Sequence, residues 1–526
     1  MPHSASISPP SAPAPPPPRL RLGNLGKLCV AIQATSPAEL IEHAEAALTD
    51  SRFLELRLDA LPKPAAALPK VKEFLAAHRD ATAIATCRRK NFGGHFTGSL
   101  KAELEVLSGA AEAGCHIVDL EVESAEEATK RQLDQLRATL RAASTALLVS
   151  FHDFSRTKAL EKAAARIEAF QPDFIKIVST AKSLADNLAI LKLIAERSLS
   201  SEVIGIAMGE EGLVSRVLGP RAGAAFTFAS SGDGAETAPG QVTARTLLDL
   251  YRLDCIDHAT RIFGVAGNPI HHSLSPLMQN TAFRRENVNA VLLPLKTQKV
   301  DDLLTLVREL PLAGCAVTMP LKQEVLPHLA TSDPLTAKIG ACNTLRVGTD
   351  GKIVGFNTDV AGVVRPLEKR LKLKGARIAV VGAGGAARAG VFGLVDQGAE
   401  VFICNVIHED AVKLARQAKA RVFKQALLSK ERFDVLINAT PCGMAGNKTP
   451  LPIAENELNA SLVFDMVYNP LETPLLKLAK DRGIPVISGM EMFVQQGARQ
   501  FEIWTGKPAP QTEMLRVVEL ELRRRA

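Results

Sequence analysis

Arg377-Ile-Ala-Val-Val-Gly-Ala-Gly-Gly-Ala-Ala-Arg388 is the stretch that decides how this chain is organised. Its short apolar run, Ile378 to Val381, predicts a buried strand. The strand runs into Gly382-x-Gly384-x-x-Ala387, and an alanine-rich helical segment follows. Gly382 permits a tight turn, Gly384 lets a pyrophosphate approach the backbone, and Ala387 is small enough for the helix to pack on the strand. The helix N-terminus offers free N–H groups and a positive dipole end. A second strand is expected over Glu400 to Cys404, which is where a dinucleotide fold needs one. The residue after it is Asn405, where an NAD site usually places an acid for the ribose hydroxyls. A neutral side chain does not repel a 2′-phosphate, so the reading leans toward NADP, with NAD as the alternative.

At 526 residues the chain is too long for one core, so two or three domains are expected. Hydrophobic content of 46% with 23% charged residues describes a globular protein. The net charge of +7 comes with no basic block carrying interleaved aromatics, which argues against nucleic acid and fits small anionic substrates. The eight cysteines are scattered with no C-x-x-C pair, so neither a zinc site nor a disulfide framework is expected. No apolar run reaches membrane-spanning length. Residues 1–23 open with a Ser/Pro/Ala-rich stretch ending in Pro15-Pro-Pro-Pro18, read as a disordered tail. It is short and has no arginine before Arg19, which favours the cytoplasm over a plastid transit peptide. Oligomeric state is not readable.

Residues 24–256 alternate strand-like and helix-like runs eight times. The strands are expected at Leu28–Ala34, Phe53–Asp59, Thr82–Arg88, His116–Val122, Ala146–Asp153, Phe174–Ser179, Val203–Met208 and Ala224–Phe228. This pattern predicts a closed (β/α)8 TIM barrel with its chemistry at the C-terminal strand ends. Polar residues collect there: Glu55, Arg57 and Asp59 at alternate positions, Arg88, Ser150-Phe-His152-Asp153, Ser215-Arg216 and Thr237-Ala-Pro-Gly-Gln241. Lys176 lies inside the wholly apolar run Phe174-Ile-Lys-Ile-Val178. Two readings stand: a snorkelling lysine or one salt-bridged to Glu55, or a Schiff-base lysine. An ordinary lysine, pKa about 10.4, is neutral only about once in 2,500 at pH 7. Apolar walls and nearby arginines are expected to lower that value and free the amine to attack a ketone. His152 is the matching general base, and Arg216 a bidentate clamp for a carboxylate.

The barrel resembles type I 3-dehydroquinate dehydratase through Glu55-x-Arg57-x-Asp59, Phe151-His152-Asp153, Lys176, Ser215-Arg216 and Ala238-Pro-Gly-Gln241. The resemblance implies that Lys176 forms an imine with the substrate ketone and that His152 takes a proton and later returns it to the departing hydroxyl. It also implies that Glu55, Arg57, Arg88, Arg216, Thr237 and Gln241 hold the carboxylate and hydroxyls. The family commonly carries a glutamate four residues after the arginine matching Arg88, where it supports the histidine. This chain has Phe92, so weaker support for His152 is expected.

A new pattern begins near Arg261. The strand Ile262–Ala266 leads into Gly267-Asn-Pro-Ile-His-His-Ser273-Leu-Ser275-Pro276, whose two hydroxyls at i and i+2 suit one carboxylate. The adjacent His271 and His272 have no acid or cysteine cluster nearby, so no metal is expected. Downstream lie Val317-Thr318-Met-Pro-Leu-Lys322, Asn343-Thr344, Gly355-Phe-Asn-Thr-Asp359, Asp465-Met466-Val-Tyr468 and a helical stretch from Gly489 to Gln500 containing Gln496. A Lys–Asp pair beside a nicotinamide can handle the proton that accompanies hydride transfer; a simple salt bridge is the plain alternative.

This ordered set resembles shikimate dehydrogenase. The resemblance implies Lys322 and Asp359 as the catalytic pair, Ser273, Ser275 and Tyr468 on the carboxylate side, and Thr318, Asn343 and Gln496 on the ring hydroxyls. Gly382, Ala383, Gly384, Gly385, Ala386, Asn405, Met466 and Gly489 would line the cofactor. Three positions depart from the family: Ala316 for a common Asn, Gln279 for a common His, and Val406 for the arginine that usually grips the 2′-phosphate. The implied architecture is α/β throughout. A barrel is joined to an α/β substrate domain at 260–364, completed by helices at 490–526, and to a Rossmann-type domain at 365–489. Together the halves resemble bifunctional dehydroquinate dehydratase–shikimate dehydrogenases, in which a dehydration feeds a reduction. Rival readings are a quinate-using reductase and a ligand-sensing regulator; the presence of Lys176, His152, Lys322 and Asp359 speaks against the latter.

Overall fold

A computed structural model describes residues 25–270, 273–447, 449–450 and 453–525. The Pro-rich segment expected as a tail, and the His271-His272 pair, lie outside the described residues.

Eight parallel strands form the first sheet: β1 (Leu28–Ile32), β2 (Phe53–Arg57), β3 (Thr82–Thr86), β4 (Ile117–Glu121), β5 (Ala146–His152), β6 (Phe174–Thr180), β7 (Glu202–Met208) and β8 (Thr227–Ser230). Strands β1 to β7 pair in sequence order, and β1 also pairs with β8. The ring is completed by the Ala225 N–H donating to the Val203 carbonyl at 2.8 Å. All eight expected strands are present. The last is displaced, because Ala224–Phe226 spans the approach to β8 and pairing starts at Thr227.

Strand alternation sorts the side chains. Leu54, Leu56, Val118, Leu120, Ile175 and Ile177 face the surrounding helices, while Phe53, Ile84, Ile117, Leu148, Phe174, Ile204 and Phe226 fill the interior. Phe226 packs edge-on against Phe53 at 4.7 Å and against Phe174 at 6.0 Å. This apolar plug closes one end. The next inward positions along the same strands are Glu55 and Arg57 on β2, Asp119 and Glu121 on β4, Ser150 and His152 on β5, and Lys176 on β6. Charge is therefore stacked in a layer above the plug, toward the strand C-termini.

The second sheet has the order β10 (Ala290–Lys296), β9 (Arg261–Gly267), β11 (Leu312–Val317), β13 (Thr344–Val347), β14 (Ile353–Phe356), β12 (Thr331–Ser332). The third runs β17 (Arg421–Val422), β16 (Glu400–Cys404), β15 (Arg377–Val381), β18 (Val435–Asn438), β19 (Val463–Asp465), β20 (Val486–Ile487), all parallel. Numbered from its first strand this order is 3-2-1-4-5-6, the doubly wound arrangement with its crevice beside β15. Helices Gly489–Thr505 and Gln511–Arg525 then return to the second sheet. There Val494, Phe501, Trp504, Met514 and Val518 join Phe263, Phe283 and Leu292 in one core. The Trp504 indole N–H donates to the Leu345 carbonyl at 2.9 Å and pins that return.

The barrel and the second sheet touch. Arg221 donates to the Thr260 carbonyl at 3.1 Å, and Lys296 at the end of β10 meets Glu210 at 2.6 Å and Glu211 at 3.4 Å beyond β7.

The plug is the feature with the clearest energetic consequence. Phe226 is 1% exposed, and emptying its site leaves a cavity walled by Phe53, Phe174 and Phe228. Phe226→Ala is expected to cost the barrel about 3–5 kcal/mol, read as a lowered unfolding transition in calorimetry.

Candidate active sites

In the barrel mouth, Lys176 is 4% exposed and is held by carboxylates. Its ammonium donates to Asp119 Oδ2 at 2.9 Å and to Glu55 Oε1 at 3.3 Å, and stands 4.2 Å over the Phe228 ring. Register explains the contacts: Ser150 is paired with Lys176 across β5 and β6, and Glu121 with Ser150 across β4 and β5. The Ser150 hydroxyl donates to Asp119 at 2.5 Å and lies 3.1 Å from Glu121, while Thr86 donates to Glu55 at 2.8 Å. Arg88 binds Glu121 through Nε and approaches Asp119 at 3.5 Å. Arg57 grips Asp59 bidentately at 2.9 and 2.8 Å, so Asp59 orients an arginine instead of facing the cavity. The residues around this space enclose about 490 Å³ continuous with solvent, lined by Glu55, Arg57, Arg88, His152, Lys176 and Arg216 among others.

One expectation is reversed here. Burial does push the Lys176 amine down, but Asp119 and Glu55 outweigh it and hold the pKa above the ordinary lysine value. The same attraction drives Asp119 below the usual carboxylate range despite its burial. His152 is held well below its ordinary value by burial, with Arg88 and Lys176 adding to the effect, so it rests as the neutral base. Burial lowers Arg216 to about 10. Arg216 is 1% exposed, and among the described residues its Nε and Nη2 have no hydrogen-bond partner. Its Nη1 donates to the Phe228 carbonyl at 3.3 Å. A buried guanidinium with unpartnered donors at a cavity wall is a ready site for an anion. Thr237 and Gln241 sit on the loop after β8, tied together by the Thr237 N–H donating to Gln241 Oε1 at 2.7 Å.

Support for His152, expected to be weaker, comes from another strand. The imidazole Nδ1 lies 3.2 Å from the Glu121 carboxylate. The sequence reading passed over Asp119 and Glu121, although Ile117-Val-Asp119-Leu-Glu121 puts two acids at alternate strand positions, the same signal that marked Glu55 and Arg57.

In the second half, Lys322 follows β11 and Asp359 opens the helix Asp359–Glu368 after β14. Their side chains meet at 2.6 Å. The Asn343 amide donates to the other Asp359 oxygen at 2.8 Å, and Asn343 Oδ1 accepts from the Thr358 N–H and the Thr344 hydroxyl, each at 2.8 Å. Gln500 reaches Thr344 Oγ1 at 3.1 Å, a support that the sequence reading did not single out. Gln496 packs against Gly362 on the Asp359 helix. Tyr468 stacks on Phe493, one turn before Gln496, at 5.0 Å. The Ser275 N–H donates to Ser273 Oγ at 3.2 Å, and Thr318 abuts Gly267 on β9.

Gly382 has φ +116°, open to glycine and strained for other residues. Beside it a Cβ on Gly384 or Gly385 would meet nothing within 4 Å, so the loop's outer surface is open at the start of the twelve-residue helix Gly385–Asp396. These N-terminal N–H groups fit a pyrophosphate. Ala383 and Ala386 flank the loop, Met466 reaches the helix at Gly390, and Gly489 lies so close to Val467 that a Cβ would fall 2.4 Å from its carbonyl carbon. Asn405 donates to the Ile407 carbonyl at 3.0 Å, and Val406 is 92% exposed beside it. Among the described residues no cluster of His, Cys, Asp and Glu could hold a metal ion.

The chain resembles known proteins in both halves. The family model for type I 3-dehydroquinase matches residues 28–258. The shikimate dehydrogenase substrate binding domain matches 265–345, and the shikimate 5′-dehydrogenase C-terminal domain matches 489–519. The chloroplastic bifunctional 3-dehydroquinate dehydratase/shikimate dehydrogenase of Arabidopsis thaliana is 34% identical over 510 residues, covering 93% of this chain and 83% of that protein. The NADP(+) shikimate dehydrogenase of Maridesulfovibrio salexigens is 39% identical over 254 residues, covering 47% of this chain and 92% of that protein. Among solved structures, the dehydroquinate dehydratase and shikimate dehydrogenase from S. pombe AroM aligns over 95% of this chain and 99% of that one, at 24% identity and a TM-score of 0.44. With one relative matching across both halves and a family model on each, the chain belongs to the bifunctional 3-dehydroquinate dehydratase/shikimate dehydrogenase family.

Proposed function

We propose that the two activities of this family run in sequence on this chain: the barrel dehydrates 3-dehydroquinate to 3-dehydroshikimate, and the second half reduces that ketone to shikimate. The observation that carries the first step is a buried lysine flanked by a neutral histidine and an unpartnered buried arginine in one cavity. Arg216 takes the substrate carboxylate. Lys176 must lose a proton before it attacks the ketone, and Asp119, 2.9 Å away, is the acceptor within reach. The resulting imine draws electrons from the neighbouring carbon, so that its C–H bond weakens. His152 removes that proton and returns it to the departing hydroxyl, and water then releases the product from Lys176. Glu55, Arg57, Arg88, Thr237 and Gln241 orient the ring.

For the second step NADPH, when bound, would supply the hydride. Lys322, 2.6 Å from Asp359, donates the proton to the carbonyl oxygen. Asp359, fixed by Asn343, keeps the ammonium in place. Ser273, Ser275 and Tyr468 serve the carboxylate, and Thr318, Asn343 and Gln496 the ring hydroxyls. Gly382 to Ala386, Asn405, Met466 and Gly489 receive the dinucleotide. The domain limits 24–256, 260–364 with 490–526, and 365–489 are our reading of the three sheets. No helix of the described residues is long and apolar enough to cross a membrane. We place the enzyme in the cytoplasm; a plastid is the alternative, given the chloroplastic Arabidopsis relative.

Mass spectrometry of products tests the order. 3-Dehydroquinate alone should yield 3-dehydroshikimate, and addition of NADPH should carry it to shikimate; no turnover of either ketone would overturn the reading. Borohydride added during dehydration should fix one substrate on Lys176. Lys176→Ala should abolish dehydration and leave the reductase intact, and Lys322→Ala should do the reverse, each losing at least about a thousandfold. Val406→Arg should raise the NADPH-over-NADH preference by roughly tenfold, about 1.4 kcal/mol, because a guanidinium fork then meets the 2′-phosphate. An unchanged ratio would mean the phosphate lies elsewhere.

A further inference from the structure

Phe92 occupies the position where a glutamate would support the catalytic histidine, yet it does not enter the cavity. Its ring lies under the Arg89 guanidinium at 4.9 Å, and Arg89 is drawn outward by Glu103 at 3.0 Å and Glu127 at 2.6 Å. The His152 imidazole is fixed from other directions. Phe154 stacks on it at 5.9 Å with 18° between the planes, and the Glu121 carboxylate takes Nδ1 at 3.2 Å. Glu121 is 2% exposed and is itself clamped by Arg88 and Ser150.

On the dehydratase reading above, we propose that Glu121 is the positioning residue of His152 in this chain, acting from strand β4 in place of the carboxylate missing after β3. With Nδ1 committed to Glu121, the proton of the neutral ring sits on Nδ1 and the Nε2 lone pair is left for the substrate. When His152 takes the substrate proton, the buried carboxylate stabilises the imidazolium. The charged groups facing this pair are Arg88 just past β3, Asp119 on β4, Lys176 on β6, and Glu55 and Arg57 on β2. Burial raises Glu121 to about 7 and holds His152 well below its ordinary value.

The test is Glu121→Gln in the full chain, beside wild type. A base must be unprotonated, so kcat/KM for dehydration rises with pH through the acid limb. A nearby carboxylate raises the histidine's proton affinity, and its removal should move that limb to lower pH. The expected result is a kcat lower by about 10–100-fold, KM within about twofold, and the limb shifted down. Borohydride trapping on Lys176 and the reductase rate should persist, which reports a folded protein with its amine in place. Glu121→Asp should recover part of kcat and supplies the same pH readout if the glutamine variant fails to fold. An acid limb and kcat equal to wild type in E121Q would overturn the proposal. Absence of dehydration in wild type would instead overturn the underlying dehydratase reading.

Discussion

The ion pair between the Lys176 ammonium and Asp119 is the constraint on which the barrel's interior depends. A buried cation must be paired, because its desolvation is costly and an unpaired charge is costlier still. Pairing Lys176 requires Asp119 and Glu55. Asp119 then needs Ser150 and Arg88, and Arg88 needs Glu121. The network is closed by neighbours that strand register places side by side. Arg216 stands apart, buried and only partly satisfied, and so is the group with most to gain from an incoming carboxylate.

That pairing gives the lysine a different character from the one apolar walls alone would confer. Desolvation favours the neutral amine, but two carboxylates within 3.3 Å favour the ammonium and prevail. The resting site therefore keeps its proton on the lysine, with the Asp119 carboxylate already in contact. His152 lies on the opposite side of the balance: burial and two neighbouring cations keep it neutral and ready to receive a proton.

The Lys322–Asp359 pair of the second half is held by a different construction. Lys322 and Asp359 sit on separate segments after β11 and β14, and Asn343 locks them through a fan of hydrogen bonds to Thr358 and Thr344. The returning C-terminal helix secures this arrangement through Gln500 and Trp504. The glycine loop beside β15 stays open on its outer face. Salt bridges from Lys296 to Glu210 and Glu211 join the two halves next to the loop after β7.

Local pattern determined the element types and the chemistry-bearing residues. Period-two alternation around Glu55 and Arg57, a lysine inside Phe174–Val178, and the glycine turn after Val381 are properties of a few consecutive residues, and the folded chain keeps them. The Lys322–Asp359 pair was also legible, from the order of its flanking motifs. What decided the partners was tertiary structure. Asp119 and Glu121 carried the same alternating signal, but which cations they meet depends on the register of β4 against β5 and β6, far apart in sequence. The direction of the Lys176 shift and the approach of Glu121 to His152 follow from those contacts. A sequence states which charges must be buried; only the closed barrel sets the distances that decide which state of each charge is favoured.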